Sequence, residues 1–92
     1  MSIPDNLIEQ VILNSGDEFD SHDIIHKLAH ENQKLYIENL NEMIGERPFQ
    51  TLHSILGRKI KDICERLGYH GIASRSLDIF GQYGECVRWS KN

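Results

Sequence analysis

Several side chains in the second half of this 92-residue chain are suited to contact nucleic acid. Arg58 and Lys61 lie three residues apart, so a helix would place them on one face. An arginine can form two hydrogen bonds to guanine, and a lysine can neutralise a phosphate. Gly57, which has no side chain, would let the helix approach the DNA backbone closely. The candidate nucleic-acid contacts are His53, Ser54, Gly57, Arg58, Lys61, Arg75, Arg88 and Lys91.

The same segment also has the pattern of an ordinary solvent-exposed helix. Arg58 and Asp62 are four residues apart, and so are Lys61 and Glu65. Pairs at this spacing form ion pairs on helix surfaces that are worth only about 0.2–0.5 kcal/mol each. The two acids would also repel phosphate. The sequence therefore leaves two interpretations open, a DNA-contacting face and a solvated or partner-binding face.

Three histidines, His22, His26 and His30, follow one another at four-residue intervals in the first half of the chain. Histidines at this spacing are found in zinc sites. However, no cysteine joins the three, and a structural zinc ion normally has four protein ligands. We therefore interpret them as exposed polar residues and predict neither a metal site nor a cofactor.

The cysteines do not form a convincing nucleophilic site with histidine. Cys64 and His53 are eleven residues apart, so a continuous helix would separate them by more than about 15 Å. Spacing alone leaves Cys86 with His70 open, although a half-buried cysteine in a strand is usually inert. The chain also has no glycine-rich phosphate loop in a strand–helix context. We expect that it is not an enzyme.

Length and composition predict a single domain over residues 1–92, because the chain is 39% hydrophobic and 26% charged. No segment has the apolar length that spans a bilayer, and the first residues lack the pattern of a signal peptide. A secreted protein of this size would usually contain more than two cysteines. We therefore expect a cytoplasmic protein with reduced thiols and no membrane partner.

Charge is distributed unevenly along the chain. Residues 1–46 contain ten acids and two bases, a net charge of −8, whereas residues 47–92 contain eight bases and four acids, a net charge of +4. Such asymmetry suggests an anionic partner for the basic half. Attraction between the two halves, within one chain or between two, is the alternative explanation.

Apolar residues recur at helical spacing in three segments. The first helix is predicted over residues 4–14. The second is predicted over residues 21–44, with Asp20 or Ser21 as its N-cap. Because this segment contains neither glycine nor proline, one long helix and two helices with a bend near Asn32 both fit.

The third predicted helix, residues 51–67, has the strongest amphipathic pattern in the chain. Thr51 is a suitable N-cap, and Gly68 suits the position that follows the C-terminus. Its opposite face carries the cationic side chains Arg58 and Lys61. Its apolar face is formed by Leu52, Ile55, Leu56, Ile60, Ile63 and Leu67.

The pattern then changes to period two, which is typical of strands. Leu77 and Ile79 alternate with polar residues, and so do Val87 and Trp89. Two such runs around a short loop that contains glycine predict a β-hairpin over residues 72–90. Since an isolated hairpin is marginally stable in water, we expect these four apolar side chains to pack against the helices.

The order of three helices and a hairpin resembles the winged-helix variant of the helix-turn-helix fold, over almost the whole chain. Phe19, in the link before the second helix, could form a third, minor strand. In winged-helix proteins the third helix is the usual DNA reader and the hairpin is the wing. The resemblance implies that residues 51–67 read duplex DNA and that residues 72–90 form the wing, whose cations would reach flanking phosphates or a minor groove.

We therefore predict an α+β domain, three helices followed by a C-terminal hairpin, that binds duplex DNA in a regulatory setting. A monomer with so few cations would bind weakly, so a homodimer or a partner protein would be needed. The alternative is a protein-interaction module without nucleic-acid binding. In that case Phe80 and Tyr83 at the hairpin tip, or the acidic first half, would contact the other protein.

Overall fold

The computed structural model describes residues 3–91. Within these residues the fold consists of four α-helices and one three-stranded antiparallel sheet, which confirms the α+β class. The elements in chain order are α1 (Asp5–Leu13), β1 (Glu18–Asp20), α2 (Ser21–Glu31), α3 (Gln33–Asn41), α4 (Pro48–Arg66), β2 (His70–Leu77) and β3 (Tyr83–Ser90). The arrangement differs from three helices and a hairpin because the second predicted helix is broken and because a third strand is present.

The break in the second predicted helix is at Asn32, whose backbone leaves the helical region with φ −134° and ψ 51°. Asparagine favours such positions because its side chain competes for backbone hydrogen bonds. The side chain of Gln33 donates to the carbonyl of His30, at 3.1 Å, and so satisfies one of the last carbonyls of α2. The alternative with two helices is therefore correct, and the second of them ends at Asn41.

The boundary between β1 and α2 is fixed by a capping box. Asp20, the last residue of β1, accepts a hydrogen bond from the backbone N–H of Asp23, whose side chain accepts in return from the N–H of Asp20. This confirms Asp20 as the N-cap. Phe19, the residue before it, is buried and pairs with Trp89 of β3. The predicted minor strand is therefore present.

The sheet has the strand order β1–β3–β2, so β3 is the central strand. Where β1 ends, the hydroxyl of Ser21 continues the pairing: it donates to the carbonyl of Val87 and accepts from the N–H of the same residue, both at 3.2 Å. One side chain thus replaces a backbone partner of β3. The hairpin is attached to the first turn of α2 in this way.

The core lies between α1, α2 and the apolar face of α4. Its fully buried side chains are Ile8, Ile12, Ile24, Leu28, Leu56, Ile60, Ile63 and Cys64. Helix α4 begins at Pro48, three residues earlier than expected, so the predicted N-cap Thr51 lies inside the helix. Gly68, with φ +79°, follows its C-terminus as expected, and the N–H of Tyr69 donates to the carbonyl of Cys64 at 2.9 Å. None of the helices within residues 3–91 has the length and apolar character required to cross a membrane.

Three of the four hairpin residues that were expected to pack on the helices do so. Trp89 is buried, and Val87 and Ile79 are partly buried against the core. The expectation for Leu77 is wrong, because this side chain is 54% exposed. Leu77 pairs with Tyr83 at the far end of the hairpin, next to the connecting loop.

Gly71 of β2 is required for the packing of Trp89 against the hairpin. A Cβ atom at this position would lie 2.7 Å from Cζ3 of the buried Trp89 ring, which is shorter than a van der Waals contact. We predict that Gly71→Ala lowers the free energy of unfolding by about 1–3 kcal/mol, the usual cost of overpacking. Urea unfolding followed by circular dichroism measures this difference.

Gly16→Ala is the matched control, because a Cβ atom at Gly16 would meet nothing within 4 Å. Its effect should stay within about 0.5 kcal/mol. If both substitutions changed the free energy of unfolding equally, the contact with Trp89 would not be what disfavours a side chain at residue 71.

Candidate functional site

A cleft of about 480 Å³ lies between the N-terminal half of α4, the start of α2 and the hairpin. Five of the candidate nucleic-acid contacts, all on α4, line it: His53, Ser54, Gly57, Arg58 and Lys61. Ser54, Arg58 and Lys61 lie on the side away from the buried apolar face, whereas His53 and Gly57 lie at its edge and are partly buried. The loop between β2 and β3 closes the other side of the cleft with Asp78, Ile79 and Phe80.

A second groove, of about 660 Å³, continues along the C-terminal half of α4 and the hairpin. Lys61 lines both the cleft and the groove, and Arg75 of β2 joins it in the groove. The structure therefore brings six of the eight candidate contacts to one continuous surface of α4 and the hairpin. Acidic side chains are present as well, since Glu85 lines both depressions and Glu65 lines the groove.

The other two candidates, Arg88 and Lys91, lie elsewhere. Arg88 is 3.6 Å from the carboxylate of Glu18 on the neighbouring strand. The ammonium of Lys91 donates to the carbonyls of Leu13 and Ser15, at 3.2 and 2.6 Å, and thereby satisfies carbonyls at the C-terminal end of α1. Both cations have structural partners within their own chain.

Two bases of α4 that are not among the candidate contacts form ion pairs with acids of α1. Lys59 lies 3.3 Å from the carboxylate of Asp5, and Arg66 lies 2.6 Å from that of Glu9. These contacts confirm that some of the charge asymmetry is used for attraction between the two halves of the chain.

Arg58, Lys61 and Arg75 have no such partners. All three are exposed, and within residues 3–91 none of their side chains forms a hydrogen bond or an ion pair. In particular, the four-residue pairs with Asp62 and Glu65 on the surface of α4 are not formed. The three cations nearest to the cleft and groove are therefore available to an external anion.

The loop at the hairpin tip is organised by Asp78. Its Oδ1 atom accepts hydrogen bonds from the backbone N–H groups of Phe80 and Gln82, at 2.9 and 3.0 Å. The hydrogen bond from Gln82, with a smaller contribution from that of Phe80, holds the pKa of Asp78 below its usual value. Gly81 occupies the left-handed region at φ +76°. The tip therefore has a defined shape at neutral pH, with an ionised carboxylate at its centre.

His53 connects the hairpin tip to α3. Its ring stacks on Phe80, with centroids 6.1 Å apart, and a 2.7 Å hydrogen bond joins its Nε2 to the hydroxyl of Tyr36. Burial lowers the pKa of His53, with a further lowering by the nearby His22, while the charge of Asp78 acts in the opposite direction. The imidazole is therefore neutral at pH 7 and packs as an aromatic ring.

Phe80 and Tyr83, the candidates for protein interaction, are 53% and 71% exposed. They differ in their surroundings. Phe80 packs edge-to-face on Phe49 of α4, with centroids 4.8 Å apart, and lines the cleft. Tyr83 lines neither depression and has only Leu77 beside it across the hairpin.

Neither of the two candidate cysteine–histidine pairs is assembled. Cys64 and His53 lie on one continuous helix, as expected. Burial raises the pKa of Cys64 to about 12, which keeps it a thiol. His70 pairs with Ser90, whereas Cys86 pairs with Ser74, four positions further along the ladder.

One cluster of polar side chains was not predicted from the sequence, because its members are far apart in the chain. The side chains of Asp20, His22 and Cys86 bring their potential ligand atoms within 4.8 Å of one another. His26 and His30, which follow His22 in the histidine series, are exposed and do not join it. The pairing of β1 with β3 and the hydrogen bonds between Ser21 and Val87 bring His22 and Cys86 together, so spacing could not have identified the cluster.

Comparison of the chain with protein-family models, with curated proteins and with solved structures finds no match. Functional inference therefore depends on the geometry of the molecule itself.

The neutral, half-buried state of His53 predicts a pH dependence of stability. Its pKa in the folded protein is lower than the ordinary 6.5, so the unfolded chain takes up a proton at a higher pH than the folded protein does. Stability is therefore complete above the unfolded pKa and falls as the pH decreases below it. We predict that the free energy of unfolding, measured with urea at pH about 7 and about 5.5, falls less in His53→Phe than in the wild type.

His26→Phe is the control for this comparison, because His26 is exposed on α2. The free energy of unfolding of His26→Phe should fall between the two pH values by as much as that of the wild type. A His53→Phe variant that loses as much stability as the wild type on acidification would contradict the assignment.

Proposed function

We propose that this chain is a DNA-binding domain of the winged-helix type that contacts duplex DNA with α4 and the β2–β3 hairpin. One observation carries the proposal. Lys59, Arg66, Arg88 and Lys91 bind partners within the chain. By contrast, Arg58, Lys61 and Arg75, whose side chains have no partner among the described residues, line the surface shared by α4 and the hairpin. Among the described residues Lys34 and Arg47 also lack such a partner, but they line neither the cleft nor the groove. Cations without internal partners can neutralise phosphates and so release the counterions that are condensed on DNA.

The topology supports the winged-helix assignment. A strand that precedes α2 pairs with a C-terminal hairpin, and the helix directly before the hairpin, α4, is the longest at 19 residues. The departure is α3, an additional helix between α2 and α4. Because of α3, the two helices are not joined by a tight turn.

The residues would have different roles at the DNA. Arg58, on the N-terminal side of Lys61, is suited to a guanine edge in the major groove. Lys61 and Arg75 are suited to phosphates, which position a protein but do not specify sequence. Glu65 and Glu85 reduce the attraction, so binding by one copy should be weak and sensitive to salt. A second copy would raise the affinity.

Protein binding through the hairpin tip is the second candidate function. Leu77 and Tyr83 face each other across the hairpin, and their exposed fractions are 54% and 71%. Two neighbouring exposed apolar side chains beside a loop of defined shape suit a protein partner. This function requires none of the unpaired cations, which distinguishes it from DNA binding.

Arg58→Ala combined with Lys61→Ala tests whether α4 contacts DNA. The double substitution should weaken binding to a labelled duplex by about tenfold or more. It should also reduce the slope of log affinity against log salt by about 1 for each phosphate that is no longer neutralised. Fluorescence anisotropy at low and moderate salt concentration measures both effects.

Lys59→Ala combined with Arg66→Ala is the matched control. It removes the same charge from the same helix, but at positions that are ion-paired with Asp5 and Glu9. Its affinity should remain much closer to that of the wild type. No binding by the wild type at tens of micromolar in low salt would overturn the proposal and favour the protein-binding function. Equal weakening by both double variants would indicate attraction through net charge alone.

Gly57→Ala separates stability from DNA contact. Gly57 lies inside α4, and a Cβ atom there would meet nothing within 4 Å. Alanine should therefore raise the free energy of unfolding by about 0.5–1 kcal/mol, because glycine is unfavourable in a helix interior. The methyl group would nevertheless project towards the cleft, so DNA affinity should fall. A variant that is more stable and binds DNA equally well would show that α4 does not approach DNA closely at this residue.

A further inference from the structure

We infer a zinc-binding site formed by Asp20, His22 and Cys86. The carboxylate oxygen, the imidazole nitrogen and the thiol sulfur lie within 4.8 Å of one another. Oxygen, nitrogen and sulfur ligands of these types are the ones that zinc binds in proteins. Three protein ligands leave the fourth tetrahedral position to water, as in open zinc sites and unlike the closed structural sites that have four protein ligands. Of the three histidines that follow one another at four-residue intervals, the site uses only His22.

The three ligands are held by different parts of the fold. Asp20 ends β1, His22 lies in the first turn of α2, and Cys86 lies in β3. The pairing of β1 with β3 fixes the distance between Asp20 and Cys86, since Asp20 pairs with Arg88, two residues from Cys86. The site is thus assembled by backbone pairing rather than by flexible loops.

The state of Asp20 supports a cation at this position. The residue is only 7% exposed, and its Oδ1 atom is engaged by the capping box with Asp23. None of the ion pairs within residues 3–91 involves Asp20. Its buried negative charge therefore lacks a cationic partner, and its second oxygen is left for a ligand. A doubly charged zinc ion bound by the Asp20 carboxylate and the Cys86 thiolate would make the site neutral, which is favourable in a partly buried position.

The geometry requires only a small adjustment on binding. Tetrahedral zinc with ordinary bond lengths places its ligand atoms about 3.3–3.6 Å from one another. Side-chain rotations of His22 and Cys86, both partly buried rather than buried, can supply the difference. Ser76 already lies between them: its hydroxyl is 2.8 Å from Nδ1 of His22 and 3.5 Å from Sγ of Cys86. This hydroxyl can orient the imidazole or donate to the thiolate.

Zinc at this position would connect the hairpin to α2. The deprotonated Cys86 of β3 and the imidazole of α2 would share one ion, so the metal would restrict the movement of the hairpin relative to the helices. Binding would release the thiol proton to solvent, which makes the affinity increase with pH.

Cobalt(II) is the probe, because it occupies tetrahedral zinc sites and gives a sulfur-to-cobalt charge-transfer band when a thiolate binds. The full chain, kept reduced with a phosphine, should show this band with saturation at one equivalent of cobalt, and one equivalent of zinc should remove it. The band should be absent in Cys86→Ser, although Cys64 is still present. Affinity should fall by about tenfold or more in His22→Ala and in Asp20→Asn. Asparagine retains the N-cap, so the second variant tests the negative charge rather than the fold.

His26→Ala is the matched control, one turn further along α2 and exposed, and it should bind cobalt like the wild type. A second measurement needs no variant: zinc added to the ¹⁵N-labelled wild type should shift amide signals near residues 20–22 and 84–88 and leave those near His30 unchanged. The inference is overturned if no charge-transfer band forms, if the band persists in Cys86→Ser, or if the amide shifts centre on the exposed histidines. None of these outcomes depends on DNA binding, so the two proposals succeed or fail separately.

Discussion

The position of the hairpin depends on one short junction, where β1 passes directly into α2. Within four residues, from Glu18 to Ser21, the chain forms a strand that pairs with β3, caps a helix through Asp20, and extends the pairing through the hydroxyl of Ser21 to Val87. The strand alone is too short to hold a hairpin, because it contributes only three residues. The helix that follows provides the rigidity. The surface shared by α4 and the hairpin, and the cluster around Cys86, both exist because this junction fixes the hairpin against the helices.

The distribution of charge follows from that architecture. Packing α4 across α1 brings Lys59 and Arg66 to Asp5 and Glu9, so acids of the first half neutralise the side of α4 that lies next to α1. Arg58 and Lys61 lie on the other side of the same helix, where no acid of α1 can reach them. A helix with its bases divided between two sides can thus stabilise the fold and still present charge to a partner. Exposed ion pairs contribute little to stability, about 0–1 kcal/mol each, which explains why their removal is a suitable control.

Features that depend on local sequence were predictable, and features that depend on tertiary pairing were not. The apolar period of α4, the Asp20 cap and the glycine after α4 were predicted because each involves neighbours within a few residues. The start of α4 was missed because Pro48 also fits the end of a preceding helix, whereas the structure uses it as the first helical residue. The fates of Arg88 and Lys91 depend on Glu18 and on the end of α1, which are distant in the chain. The spacing of apolar and polar residues does not predict contacts between residues so far apart in the chain.

The edge position of β2 has a consequence for how this protein behaves in concentrated solution. Because β3 is central, the outer backbone groups of β2 have no partner strand among the described residues, and this strand is eight residues long and contains no proline. Strands of this kind template the addition of a strand from another molecule unless a charge prevents it. Arg75 is the only fully charged residue in β2, and a charge on an edge strand opposes edge-to-edge pairing. The cation that lines the groove therefore also disfavours association between the sheets of two molecules.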